Sequence, residues 1–200
     1  FYIDIPDQKS FNEKISRLKN IVHPAILKVF GYTIKDSYPL IITEFMKHKS
    51  LKDFFNRQLN KYKSSSWNDT KKYITAIGIA HGIQFLHSQE KVHKNLRPSK
   101  ILFDVDYYPH ISLLDILIDP EERNGNDLIY FAPELLDDPE AYSKASDIYA
   151  FSMIVFQLLK GKPPFDNPKT IINNVRLQNY PDISSFSDEM QDFFQSCWDF

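Results

Sequence analysis

Apolar residues recur along the chain with two periods, and the switches between them mark the elements. Residues 1–5 alternate weakly, as a strand does, and Pro6 ends the run. Phe11, Ile15, Leu18 and the Ile21-Val22 pair then fall on one face of a helix predicted over residues 10–21, with Ser10 as N-cap and Glu13 completing a capping-box pattern. Two strand-like runs follow, residues 27–34 and 39–45, around the turn Lys35-Asp36-Ser37. Residues 50–55 begin a second helix. A polar loop, residues 61–66, separates it from a long helix over 67–88, in which Tyr73, Ala76, Ile79, Ile83 and Leu86 keep helical spacing. Short strands are predicted at 101–103 and 110–112, flanking a turn at Asp106-Tyr107-Tyr108-Pro109. Gly125 sits in a polar loop. Residues 146–159 are apolar on every side, the pattern of a fully buried helix, and Gly161 with Pro163 and Pro164 closes it. Two shorter helices, 168–177 and 187–197, complete the reading.

Composition narrows the function classes. Hydrophobic residues make up 42% and charged residues 25%, an ordinary globular mixture of a size that suits one domain. A formal net charge of −2 offers no footprint for a polyanion, which sets nucleic acid aside. The single cysteine, Cys197, excludes an internal disulfide and a CxxC metal site and fits a reducing compartment. The densest apolar run, residues 153–159, contains Gln157 and is too short to cross a membrane. The first residues carry no signal-peptide pattern, so a cytoplasmic location is expected. The chain opens on Phe1 rather than Met, and a piece of a longer protein is the expectation. Only 5 glycines are few for an enzyme that wraps loops around phosphates.

One stretch organises the rest: Val92-His93-Lys94-Asn95-Leu96-Arg97-Pro98-Ser99-Lys100-Ile101-Leu102-Phe103-Asp104. It resembles the catalytic loop of eukaryotic protein kinases, His-Arg-Asp-Leu-x-x-x-x-Asn followed by a short strand. Further pieces come in family order: the His23-Pro24 turn, Glu44-Phe45-Met46 like a hinge, Ala132-Pro133-Glu134, Ser146-Asp147 opening the central helix, Gly161-Lys162-Pro163-Pro164-Phe165, and Cys197-Trp198. The resemblance covers the whole chain and points to the tyrosine-kinase-like branch. It implies an α+β, two-lobe fold: a partial N-lobe over 1–45 (one strand, a helix, two further strands) and a mainly helical partial C-lobe over 46–200. It also implies truncation at both ends, without the glycine-rich first hairpin and the last helix.

The same resemblance locates what is missing. Where the family has its catalytic Asp and a magnesium-binding Asn, this chain has Asn95 and Lys100. A carboxamide has no basic oxygen near neutral pH, and an ammonium has no lone pair for a metal. The metal-binding Asp of the activation segment aligns with Leu113, 18 residues beyond Asn95, followed by Leu114 and Asp115. In an extended segment Asp115 stands about 6.6 Å too far along to substitute. In the N-lobe, the family's strand lysine and helix glutamate align with Asp4 and Lys14, either an ion pair with its signs exchanged or two unrelated solvated charges. Lys100 has three readings: a stand-in for the missing cation, an exposed lysine, or an ion pair with Asp104 or Asp115.

The resemblance also implies cleft positions for Thr43, Glu44, Met46 and Leu102. Leu18, Val29, Leu114 and His93 correspond to an apolar stack standing on Asp147, and Glu134 lacks its usual arginine partner in the chain at hand. His23, His81 and His87 show no ligand spacing. Between Asp115 and Ile129 there is no Ser, Thr or Tyr, and Tyr130 is the first hydroxyl before the Ala-Pro-Glu motif, so phosphorylation has little to act on. The expectation is a pseudokinase. It would bind no metal, need no cofactor (with ATP held without metal as an open possibility), and act as a protein-binding scaffold or allosteric partner of an active kinase or adjacent domain. The alternative is an active or atypical Ser/Thr protein kinase using Asp115 or Asp104 for metal.

Overall fold

The computed structural model describes residues 8–36, 38–59, 67–117, 125–165, 167 and 170–199. Helix α1 (Gln8–Lys19) lies on an antiparallel hairpin of β1 (Val29–Lys35) and β2 (Tyr38–Thr43), in which Tyr32 pairs with Ile41 and Lys35 with Tyr38. The apolar stripe explains the docking. Phe11, Ile15 and Leu18 are all buried, the Phe11 ring meets Tyr32 edge-on at 5.0 Å, and the Tyr32 hydroxyl donates to Asn12 Oδ1 at 2.6 Å. α1 starts at Gln8, so Ser10 lies inside the helix and is not its cap. The strand expected at 1–5, Ser37 and the loop 61–66 lie outside the described residues.

Below the hairpin come α2 (Leu51–Leu59) and α3 (Asp69–Ser88). Ser50 caps α2 reciprocally: its N–H and hydroxyl donate to Asp53 Oδ2 at 3.0 and 2.6 Å, and Asp53 N–H returns a bond to Ser50 Oγ. α3 is capped by Asn68, whose side chain accepts from Lys71 N–H, so Trp67 precedes the helix and stacks on Phe54 at 4.7 Å. The buried face of α3 is Thr75, Ile79, Gly82, Ile83 and Leu86, whereas Tyr73 is 53% exposed. Ile79, Ile83 and Leu86 thus keep the expected stripe and Tyr73 alone leaves it, while close contacts beside the stripe are made by glycines. A Cβ on Gly78 would stand 2.4 Å from Pro109 Cγ, and one on Gly82 2.6 Å from Ile111 Cδ1. Their absence lets α3 touch the small sheet of β3 (Ile101–Phe103) and β4 (Pro109–Ile111). Leu27 N–H donates to Ile111 O, and Ile111 N–H to Ala25 O, which ties the two halves of the molecule together ahead of β1.

After a single-turn α4 (Glu134–Asp137), the central α5 (Lys144–Lys160) runs through the core. Ser143 and Ser146 form its capping box, so it begins before Ser146, and Gly161 ends it in the left-handed conformation (φ 70°) that glycine adopts without steric cost. Twelve of its residues are buried, as an all-round apolar helix requires. α6 (Ile171–Arg176) and α7 (Asp188–Trp198) pack outside it, and the Trp198 indole N–H donates to Ser152 Oγ at 2.8 Å. Gly125 opens a 3₁₀ segment, Gly125–Tyr130, where a loop was expected. No helix among the described residues is long and apolar enough to cross a membrane.

Candidate catalytic cleft

The loop at residues 93–100 is held from below by one carboxylate. Asp147, in the first turn of α5 and 2% exposed, accepts His93 N–H at 2.8 Å and His87 Nε2–H at 2.9 Å on Oδ2, and Lys94 N–H at 3.1 Å on Oδ1. These bonds fix Lys94 at φ 70°, a left-handed conformation that costs a non-glycine residue about 1–2 kcal/mol. The buried His93 ring faces Ser112 O through Nε2 at 3.2 Å and accepts Asn95 N–H through Nδ1 at 3.2 Å, which selects the Nε2–H tautomer. Burial holds this imidazole below its ordinary range against the opposing charges of Asp147 and Asp115, so it is neutral and structural.

Three side chains meet above that loop. Asn95 Nδ2–H donates to Asp115 Oδ2 at 2.6 Å, and the Lys100 ammonium ion-pairs with Asp115 Oδ1. Lys100 is therefore neither an exposed lysine nor a partner of Asp104. The geometry also corrects the extended-segment expectation. Leu114–Leu117 forms a 3₁₀ turn, which rises about 2.0 Å per residue against about 3.3 Å for a strand. That contraction swings Asp115 back over the loop, while Leu113 is buried and Leu114 partly so. A carboxylate thus stands beside Asn95 and Lys100 after all, but both its oxygens already accept hydrogen bonds from them.

Around the cleft, Thr43, Glu44, Met46 and Leu102 are half-buried. Thr43 Oγ1 donates to Glu44 O, and Leu102 bridges Ser50. Glu44 Oε1 accepts Lys28 N–H at 2.7 Å and lies 3.2 Å from His110 Nδ1, while Asp104 Oδ2 lies 3.5 Å from His110 Nε2. Asp104 Oδ1 caps its own turn by accepting Asp106 and Tyr108 N–H, so this carboxylate is engaged on both sides. Leu18, Val29 and His93 are buried in the core. Lys14 is half-buried on α1, and Asp4 lies outside the described residues, as therefore does the reversed ion pair. Glu134 opens α4, and no ion pair reaches it among the described residues. No cluster of three potential metal ligands occurs among them either. His23 stacks on Phe85 at 4.6 Å.

Sequence reading missed a second charged contact. Arg97 Nη1–H donates to Asp127 Oδ2 at 2.5 Å, with both side chains under 10% exposed, and joins the catalytic loop to the 3₁₀ segment Gly125–Tyr130. The pair is separated by 30 residues, and no local pattern announces it. Tyr130, the hydroxyl noted above, is also buried: its O–H donates to Gln157 Oε1 at 2.5 Å, and burial with the charge of Asp127 pushes the phenol well above its ordinary range.

A hairpin and helix above, a helical body around a buried α5 below, and a His93-centred loop between them make an α+β protein kinase-like domain. A family model described as protein tyrosine and serine/threonine kinase matches residues 3–200, and the chain belongs to that family. It is 31% identical over 161 residues to Protein STRUBBELIG-RECEPTOR FAMILY 5 of Arabidopsis thaliana, covering 78% of this chain and 22% of that protein. It is 30% identical over 191 residues to Developmentally-regulated protein kinase 1 of Dictyostelium discoideum, covering 91% of this chain and 26% of that protein. With the human Receptor-interacting serine/threonine-protein kinase 1 it shares 23% identity over 224 residues, 98% of this chain and 32% of that protein. The chain therefore spans about a fifth to a third of the length of these relatives.

Proposed function

We propose that this domain is a pseudokinase of the tyrosine-kinase-like branch, acting as a protein-binding scaffold or allosteric signalling module in the cytoplasm. One observation carries the reading: the two oxygens of Asp115 are taken by Asn95 and Lys100, which stand where the family keeps its proton acceptor and a metal ligand. Asn95 cannot take a proton from a substrate hydroxyl, and Lys100 repels a divalent cation from the carboxylate it pairs with. The residues present do not fit a magnesium-nucleotide, so no phosphoryl-transfer step is assigned to them. The scaffold beneath the cleft is kept, with Asp147, His93 and the buried α5 in place, which suits a fold retained for its surfaces. The step from fold to scaffold is analogy, because a fold does not fix a function. The surfaces offered to a partner, an active kinase or an adjacent domain, are α1, the segment ending at Glu134 and the helices after Gly161. Residues 1–45 would form the partial N-lobe and 46–200 the partial C-lobe.

A second reading has its own support. Asp115 is turned into the cleft rather than away from it, so an atypical Ser/Thr kinase would hold a metal there once Lys100 withdrew. A phosphotransfer assay with Mg²⁺ and with Mn²⁺, on the chain and on its Asp115→Asn variant, separates the two. No turnover by either supports the scaffold; turnover that the substitution abolishes establishes the enzyme.

A further inference from the structure

Helix α3 is apolar on two sides. Its inner side, with Ile79, Ile83 and Leu86, packs on α5 and β4. Its outer side carries Tyr73, Ile74 and Ile77, which are 53%, 36% and 55% exposed, and among the described residues no element covers them. A helix that is hydrophobic all round is a helix that is buried all round. The outer side also has an order. Asp69, Tyr73, Ile77 and His81 stand four residues apart, so they form one ridge, about 18 Å from end to end. The ridge begins with a carboxylate and ends with an exposed imidazole. Lys72 Nζ reaches Asp69 Oδ1 at 2.8 Å, yet the Asp69 side chain stays 82% exposed.

We propose that this ridge docks a second copy of the chain, as an antiparallel pair of α3 helices about a two-fold axis. Reversed and laid on itself, the order of acid, aromatic, aliphatic and imidazole is its own complement. Tyr73 meets the partner's Ile77, Ile77 meets the partner's Tyr73, and each Asp69 comes beside the partner's His81. A carboxylate accepts an imidazole N–H whether or not the ring is charged, so the end pairs hold in either form. A parallel pair would instead set carboxylate against carboxylate and leave each apolar residue on its own copy. Ridges of this spacing interdigitate in the commonest class of helix packing. The contact is isologous, so it closes as a dimer and does not grow into a filament. Its apolar centre is small, which places it at the weak, concentration-dependent end of specific interfaces. α3 lies apart from the cleft chemistry, so the pairing and the phosphotransfer reading fail separately.

Sedimentation of the chain from about 1 μM to about 1 mM tests the pairing. The mass is expected to rise from one copy towards two. Ile77→Asp, which puts a charge into the centre of the contact from an exposed position, is expected to weaken association about tenfold or more. Asp69→Lys and His81→Glu are each expected to weaken it by removing the complement at both ends. Their equimolar mixture is expected to recover it, because each end then joins opposite groups again. A chain that stays one copy throughout would overturn the proposal. So would an Ile77→Asp variant that pairs like the parent, or a mixture that associates no better than its components. Should Ile77→Asp not fold, Tyr73→Lys is expected to show the same loss, and its absence is equally decisive.

Discussion

Removing the Asp147 carboxylate is the most informative single perturbation of the scaffold. Asp147→Ala leaves the N–H groups of His93 and Lys94 without an acceptor in a site where the carboxylate was 2% exposed. Stranding the buried His93 donor costs about 1–3 kcal/mol and the part-buried Lys94 donor, on an exposed residue, adds less, so the two together cost about 2–4 kcal/mol. His87 also loses its partner but is 14% exposed and can turn to water, so it adds little. Lys94 then keeps its left-handed backbone with no bond to justify it, which favours the upper half of that range. Domains have about 5–15 kcal/mol in hand, and for a domain of this size each kcal/mol lowers Tm by about 2–4 °C. A fall in Tm on the order of 10 °C is therefore expected for Asp147→Ala by calorimetry, with the urea midpoint moving in step. Glu13→Ala, on the exposed face of α1, is the control and is expected to change Tm by no more than about 1–2 °C. If Asp147→Ala fell by no more than the control, the loop would not be held by this carboxylate, and the claim of a retained scaffold would lose its foundation.

Three further outcomes follow from the geometry. His93 and His23 are both held below their ordinary range by burial, so below about pH 6.5 the unfolded chain binds protons that the folded chain refuses. Stability is thus full above that pH and falls below it, by up to about 1.4 kcal/mol per unit per histidine. Urea midpoints at pH 7.5 and 5.5 should differ less in His93→Gln, and an identical difference would refute the assignment to His93. Burial pushes the Cys197 thiol up to about 11, so on the order of a thousandth is thiolate at pH 8. Alkylation should be slow in the folded chain and at least about a hundredfold faster in urea, whereas fast labelling without denaturant would show the α7 site open. A double-mutant cycle of Lys100→Met and Asp115→Leu should give about 1–2 kcal/mol of coupling in denaturant unfolding; coupling near zero would mean that the cleft is not braced by this pair.

What the sequence could show, and what it could not, divides along the range of the forces involved. The buried α5 was legible because its apolar residues cover all sides, and the His93 loop because several residue identities stand in fixed order. That Asn95 and Lys100 stand where the family resemblance expects an Asp and an Asn was legible for the same reason. The position of Asp115 was not. A four-residue 3₁₀ turn has no periodicity to read, and whether the chain contracts at Leu114–Leu117 or runs extended decides which side chain faces the loop. Arg97 and Asp127 are 30 residues apart, so their pairing exists only once the fold has formed. On α3, Ile79, Ile83 and Leu86 were legible by their spacing, whereas the close contacts of Gly78 with Pro109 and of Gly82 with Ile111 were not, because a glycine leaves no apolar side chain to count.

Whether the cleft accepts a metal-nucleotide can be read from calorimetric titration of the chain with ATP, with and without Mg²⁺. With Asn95 and Lys100 occupying the oxygens of Asp115, adding Mg²⁺ is expected to leave the affinity for ATP unchanged or to weaken it. Tighter binding in the presence of Mg²⁺, lost again in Asp115→Asn, would show that Asp115 leaves Lys100 to hold the ion and that the domain is equipped for phosphoryl transfer.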